Sequence, residues 1–514
     1  MNDRRTAPDE PWRAARPPSG PLPITPLPTF QKFELKNGLT VIVAEDHSLP
    51  TIDAAVVVRA GSVLDGRESG LAQLTWALID EGAGSLNAAA LDNAFADIGS
   101  QLSSSGGRES GTVDARFLTQ HADKALELIA LILQKPTFAA ADFERVKTAR
   151  VTLLKARAGD PDAVADDVFA AAAYGADHPY GQPLGGTPGA VEKLKIQSVK
   201  RFWSDNVGPK TAALLLAGDV TLEDARALAE KHFGRWRGSA KPSKPPAAPK
   251  ARAGLQLVVV DVPGATQTQV RVGRPVLSAG DSDEPALIVL NAVVGGMFSS
   301  RLNLKLRKEK KWTYQIRSAL DAQQVAGAFV IDSAIETAHT VDAVVAVLDE
   351  LKALRTSGIT AAELALGRAF YSRSLPALSS LPPQQVALAA GFFDLGLPLD
   401  HHAKLFEGVN AATLEHVHAA AERALVEDDL VVVLVGDRAA FEPALRERNL
   451  GTLTFINRDG APRSGDASDA VSRQVRRRPR TGPRRPRGRR TPPPAASSRI
   501  PSQSTATGAS GRAA

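Results

Sequence analysis

The chain has 514 residues, 43% of them hydrophobic, nine histidines, no cysteine and a formal net charge of +6. That length supports two to four domains with substantial cores, and the lack of cysteine excludes disulfides, iron–sulfur clusters and thiol nucleophiles. The charge is unevenly placed: residues 463–514 hold thirteen Arg against two Asp, a local +11, which leaves the rest of the chain mildly acidic at −5.

Residues 1–29 read as a Pro-rich extension without the apolar core of a signal peptide. No later stretch approaches twenty apolar residues, so no membrane span is expected. The periplasm and the cytoplasm of a bacterium both stay open as locations. A first domain is expected over 30–237. It has strand signals at Thr40–Val43 and Ala54–Arg59, helical spacing at Leu71, Leu74 and Leu78, and an Asn87 cap before Leu91, Phe95 and Ile98. Strand-like stretches at Gln101–Ser105 and Thr112–Leu118 precede helices at Ala122–Leu133 and Asp142–Ala158. A strand at Ala213–Ala217 and a helix at Leu222–His232 close the unit.

Residues 238–253, GSAKPSKPPAAPKARA, contain no large hydrophobe and predict a semi-rigid exposed linker. Beyond them the chain repeats itself. Gly38-Leu-Thr-Val-Ile-Val corresponds to Gly254-Leu-Gln-Leu-Val-Val-Val, and Leu214-Leu-Leu-Ala-Gly-Asp219 to Val432-Val-Leu-Val-Gly-Asp437. Two anchors with nearly equal offsets, 216 and 218 residues, indicate an internal duplication and a second domain over 254–460. The alternation of strand pairs and helix pairs predicts an α+β fold, each domain an antiparallel sheet covered by helices on one face. The Arg- and Pro-rich segment 461–514 reads as a disordered tail with at most nonspecific affinity for nucleic acid or acidic surfaces.

Residues Gly61–Leu78, GSVLDGRESGLAQLTWAL, place a Gly-Ser turn and a Gly-Leu-Ala helix start after an apolar strand. This frame resembles the insulinase/pitrilysin (M16) peptidases, whose helix reads G-L-A-H-x-x-E-H. On that pattern the first histidine falls on Gln73, the glutamate on Trp76 and the second histidine on Ala77. Histidines one turn apart share a face and can grip one zinc, while the glutamate polarises its water; Gln, Trp and Ala can do neither. The family's third ligand, a glutamate about seventy-five residues on, falls near Leu154, with Glu144 too early in the chain. No histidine is followed by another four residues later, and Glu415-His416-Val417-His418 points its histidines apart on a helix. No metal ligands are therefore assigned. The resemblance spans about Phe30 to Gly451, includes Tyr174-Gly and His178-Pro-Tyr-Gly181, and implies two similar α+β domains of the M16 (LuxS/MPP-like) type.

In the second half, Gly295-Gly-Met-Phe-Ser-Ser-Arg-Leu302 and Leu306-Arg-Lys-Glu-Lys-Lys-Trp-Thr-Tyr314 are similar to the family's glycine turn and its Arg-to-Tyr segment. The resemblance implies that Arg307 and Tyr314 reach the zinc site across the chamber and stabilise the oxyanion of peptide hydrolysis. Taken on spacing alone, Lys305, Arg307, Lys308, Lys310 and Lys311 read as a solvated helix face, with Tyr314 as packing at its end. Together these features imply a zinc-less subunit, inactive alone, completing the chamber of a zinc-bearing M16 partner that supplies the metal. On this reading the expected substrate is an unfolded peptide added to a sheet edge, for which Gln101–Gly107 and Thr112–Phe117 are the candidates. The alternative is an inert M16-like scaffold or peptide-binding protein.

Overall fold

The computed structural model describes residues 20, 27–250 and 252–458. The predicted tail, 461–514, and most of the N-terminal extension lie outside the described residues. In the first half β1 (Gln31–Glu34), β2 (Thr40–Glu45) and β3 (Thr51–Val58) lead to a small hairpin of β4 (Gly82–Ala83) and β5 (Leu86–Asn87), then to β6 (Leu102–Gly106), β7 (Gly111–Leu118) and β8 (Ala212–Gly218). The second half supplies β9 (Gln256–Asp261), β10 (Gln267–Leu277), β11 (Ile316–Asp321), β12 (Gly327–Glu336), β13 (Val431–Gly436) and β14 (Thr452–Ile456).

Two six-stranded sheets result, ordered β1-β2-β8-β3-β7-β6 and β14-β9-β13-β10-β12-β11. Position by position the four inner pairings correspond, so the duplication legible in the sequence is a duplication of topology. The expected antiparallel pairing holds for most neighbours, but β2 with β8 and β9 with β13 run parallel. The sixth strand differs: β1 pairs antiparallel at one edge, whereas β14 adds in parallel to β9.

The strands β8 and β13, in the middle of each sheet, are apolar and buried at every position because both of their faces are covered. In the first sheet Val56, Leu214 and Leu216 point into the core built with its own helices, while Ile42, Val57 and Leu215 point the other way. Among the described residues of the first half, only Phe30 packs on that second face. The face is covered by the helix Pro382–Leu395 of the second half, through Val386, Ala389 and Phe393. Reciprocally, the helix Pro161–Tyr174 of the first half covers Val431, Val433 and Val435 of the second sheet with Val164, Val168 and Phe169. Each half thus lends the other one helix, where the sequence predicted helices on one face only. Each large apolar side chain buried this way contributes about 1.5–3 kcal/mol.

Polar contacts fix both exchanged helices. Arg271 of β10, 4% exposed, reaches Asp162 at 2.6 Å and Asp166 at 2.8 Å. Arg59, just beyond β3, stacks on Phe393 at 4.4 Å and donates to its carbonyl. The Pro161–Tyr174 helix begins at an Asp160 cap, whose side chain accepts from the Asp162 amide, with Pro161 in the first turn where its missing N–H costs nothing.

Two local expectations change. The Thr112–Phe117 stretch lies in β7, flanked by β3 and β6, so of the two candidate edges only β6 is one. The Lys-rich stretch is wound as a π-helix over Asn303–Glu309 rather than as an α-helix. Buried Asn303 donates to the carbonyls of Ile316 (2.6 Å) and Met297 (3.3 Å), and the Trp312 amide donates to the Leu306 carbonyl at 3.0 Å, which together hold the wider turn. Among the described residues no helix is long and apolar enough to cross a membrane.

Candidate functional site

The helix of the degenerate motif is one and a half turns long, Leu71–Trp76. It starts at Gly70, whose φ of +90° a side chain would strain and whose added Cβ would meet the Gly185 carbonyl at 2.5 Å. The Asp65 carboxylate accepts from the amides of Gly70 (2.7 Å) and Ala72 (2.8 Å), satisfying the first free donors of the helix. Burial pushes Asp65 up to about 7 against the pull of those amides.

Gln73 and Trp76, at two of the motif positions, are both engaged by neighbouring groups. The Trp76 indole is fully buried, donates to the Ala60 carbonyl at 2.8 Å and meets Trp203 edge to face at 5.4 Å. It lies so close to β7 that a Cβ on Gly111 would sit 1.8 Å from its Cε2. Gln73 donates through Nε2 to the Gly106 carbonyl and accepts at Oε1 from Arg150 Nη2 at 2.9 Å. Ala77 caps the helix and offers only a methyl group. Ser104 Oγ donates to the Trp76 carbonyl at 3.1 Å, so β6 is tied to the helix at two points.

The sequence comparison placed Leu154 near the third ligand, but the side chain of the Ala140–Arg157 helix that meets Gln73 is Arg150. Leu154 lies one turn further along that helix and is 7% exposed, while Glu144 pairs with Lys147 at 3.0 Å on the surface. Arg150 is itself half withdrawn from water: its Nε has no partner, and burial lowers its pKa. The constellation therefore does not fit zinc. Its one side-chain oxygen is committed to a guanidinium, and that fixed positive charge repels a divalent cation. Among the described residues no three His, Asp or Glu side chains group closely enough to hold a metal. The histidine pairs have local partners instead: His418 with the Arg355 carbonyl at 3.0 Å, and His401 with Glu284 at 3.4 Å.

Arg307 and Tyr314 lie in the second half. Arg307 is stacked over Phe298 at 3.6 Å, and Phe298 is itself 76% exposed. Tyr314 is 90% exposed although its neighbours are anchored. Thr313 Oγ1 bonds to the Ala334 carbonyl at 2.8 Å and to Ser333 Oγ at 3.0 Å. Among the described residues no hydrogen bond, ion pair or ring contact joins Arg307 or Tyr314 to Gln73, Trp76 or Ala77.

Sequence reasoning missed Arg150 and both exchanged helices. Signals for the helices were present in Asp160-Pro161 and Pro382-Pro383, which are cap and first-turn residues. Nothing local marks Arg150, because its role follows from Gln73, 77 residues away.

Comparison with known proteins bears on the whole body of the chain. The Insulinase (Peptidase family M16) model matches residues 40–187, and the Peptidase M16 inactive domain model matches residues 193–370. A protein named as an uncharacterized zinc protease of Mycobacterium leprae is 28% identical over 341 residues, 65% of this chain and 75% of its own length. A Bacillus subtilis protein of the same description is 23% identical over 78% of this chain and 96% of its own. Among solved structures, a peptidase M16 inactive domain from Pseudomonas fluorescens superposes with a TM-score of 0.74 at 24% identity, covering 79% of this chain and 98% of that one. A chain in a structure of complex III2 from Candida albicans gives 0.69 at 18% identity, covering 82% and 99%. With its duplicated α+β halves and its degenerate motif helix, the chain belongs to the insulinase (M16) peptidase family.

Proposed function

We propose that this chain is the metal-free member of a two-chain M16 peptidase. A partner chain of the same family brings the zinc, its ligands and the general base, and this chain brings Arg307, Tyr314 and half of the chamber wall. The observation that carries the reading is an asymmetry between the halves. The motif helix is closed by Trp76 and by the Gln73–Arg150 pair, whereas Tyr314 stands 90% exposed on an anchored loop. A phenol held out from a fixed backbone is suited to a contact outside its own chain. At the oxyanion of a peptide under attack, a guanidinium and a phenol stabilise the transition state more than the ground state. The peptide extends along β6, the exposed edge beside the motif helix.

The test is co-expression with a zinc-bearing M16 chain. The pair should copurify with about one zinc, cut unfolded peptides only when both chains are present, and lose roughly 100-fold or more in kcat with Arg307→Ala or Tyr314→Phe. Neither substitution should move the unfolding midpoint or split the pair. A partner that cuts equally well alone, or two silent variants, would sink this reading.

A second reading, an inert scaffold or peptide-binding protein, is favoured by the likeness to a chain of complex III2, a protein within a larger assembly. It predicts a stable complex with no change in any peptidase activity.

A further inference from the structure

The Ala140–Arg157 and Pro161–Tyr174 helices meet at a corner, and beside them the faces of β9 and β14 close one side of a groove of about 660 Å³. The groove runs along the junction of the two halves, where ligand sites concentrate, and its volume suits a small molecule. Its floor is apolar, from Leu154, Val164 and Val168 on the helices to Val258 and Ile456 on the strands. Its charged lining is Arg157, Arg252, Arg458 and Asp167. Asp167 is spoken for by Arg157 at 3.3 Å. The guanidinium groups of Arg252 and Arg458 have no hydrogen-bond acceptor and no ion pair among the described residues; Arg252 contributes only its backbone N–H, to Asp429 at 3.1 Å.

An apolar floor beneath two uncommitted guanidinium groups selects for an amphipathic anion. The uncharged polar side chains of the lining, Gln182, Thr187, Gln256 and Thr454, are too few to pair the N–H and C=O groups of a buried peptide, which disfavours one. An acyl chain has no such groups, and a carboxylate is the acceptor that a guanidinium grips with two parallel bonds. We propose that this groove binds a fatty carboxylate, its chain along Val164, Val168, Val258 and Ile456 and its head group held by Arg252 and Arg458. The site is separate from Arg307 and Tyr314 and does not depend on the proposed peptidase role. It does share a helix with Arg150, one turn from Leu154.

The full-length chain is titrated with saturated fatty acids from ten to fourteen carbons, below their micelle concentrations, by displacement of a fluorescent fatty acid. Affinity should tighten about fourfold per added methylene if the chain is buried. The methyl ester, which keeps the tail and loses the charge, should bind about tenfold more weakly or worse, as should Arg252→Gln towards the free acid. Ala171→Phe, on the helix wall, should remove binding by filling the groove. If Ala171→Phe disturbs folding, Thr454→Glu places a repelling carboxylate at the strand wall and should weaken binding similarly. A flat dependence on chain length, an ester that binds as well as the acid, or folded groove variants that bind like the wild type would each overturn the assignment.

Discussion

Arg150 Nη2 donates to Gln73 Oε1 at 2.9 Å, so a cation of the chain itself sits on the helix position where the family carries its first histidine. Restoring the motif by Gln73→His, Trp76→Glu and Ala77→His should therefore not restore a metal site. Metal analysis after dialysis against zinc should find far less than one zinc per chain. Adding Arg150→Glu, which removes the repulsion and supplies an oxygen ligand, should raise the zinc retained. A full equivalent in the triple variant would show that the guanidinium does not exclude the ion.

The contact of Trp76 with Gly111 sets a second expectation. Trp76→Ala empties a fully buried site and should cost about 3–5 kcal/mol in urea unfolding. Gly111→Ala should cost about 1–3 kcal/mol or more, because its new methyl group meets the indole. In the Trp76→Ala background that second cost should fall by at least ~1 kcal/mol, the sign of direct coupling. Additive costs would mean that the backbone of β7, not the indole, demands glycine.

The exchanged helices predict that neither half is stable alone. A chain ending at Arg237 would expose Ile42, Val57 and Leu215, which the Pro382–Leu395 helix covers in the whole protein. It should aggregate or bind hydrophobic dyes, and co-expression with residues 238–514 should rescue it. A monomeric, cooperatively unfolding first half would contradict the assigned packing.

Stability should also depend on pH through Asp394. Burial raises its carboxyl to about 6, against the opposing effects of the Ser110 hydrogen bond and nearby Arg59, and its Oδ1 has no partner. Its value in the unfolded chain is about 3.9. Between those two values the native state holds the proton more tightly, so this contribution to stability is present below about pH 4 and is lost as pH rises through 6. Asp394→Asn should remove that loss and stabilise the protein at pH 8 by up to about 3 kcal/mol relative to wild type. Equal pH profiles of the urea midpoint for the two proteins would show that Asp394 is not the group responsible.

Much of this organisation could be read from the sequence because it is local or repeated. The strand β2 and its counterpart β9 stand out as apolar runs after a glycine, and the pair Gly218-Asp219 and Gly436-Asp437 fixes the register of the duplication. The Asn87 cap was legible for the same reason: its side chain accepts from Ala90, three residues on. The exchange of helices was not legible, since the apolar faces of Pro161–Tyr174 and Pro382–Leu395 read alike whichever sheet they cover. The place of Arg150 was also hidden: a motif in one sequence shows which ligands are missing, not which distant side chain has taken up the space.

The exchanged helices also bear on motion. To swing one half away from the other, the chain would have to withdraw Pro161–Tyr174 from one sheet and Pro382–Leu395 from the other in the same step. The segment 238–253 looks like a hinge in sequence, but the two helices act as crossed bolts that leave it nothing to turn. A large opening between the halves is thereby disfavoured, and residues 27–250 and 252–458 should move as one body.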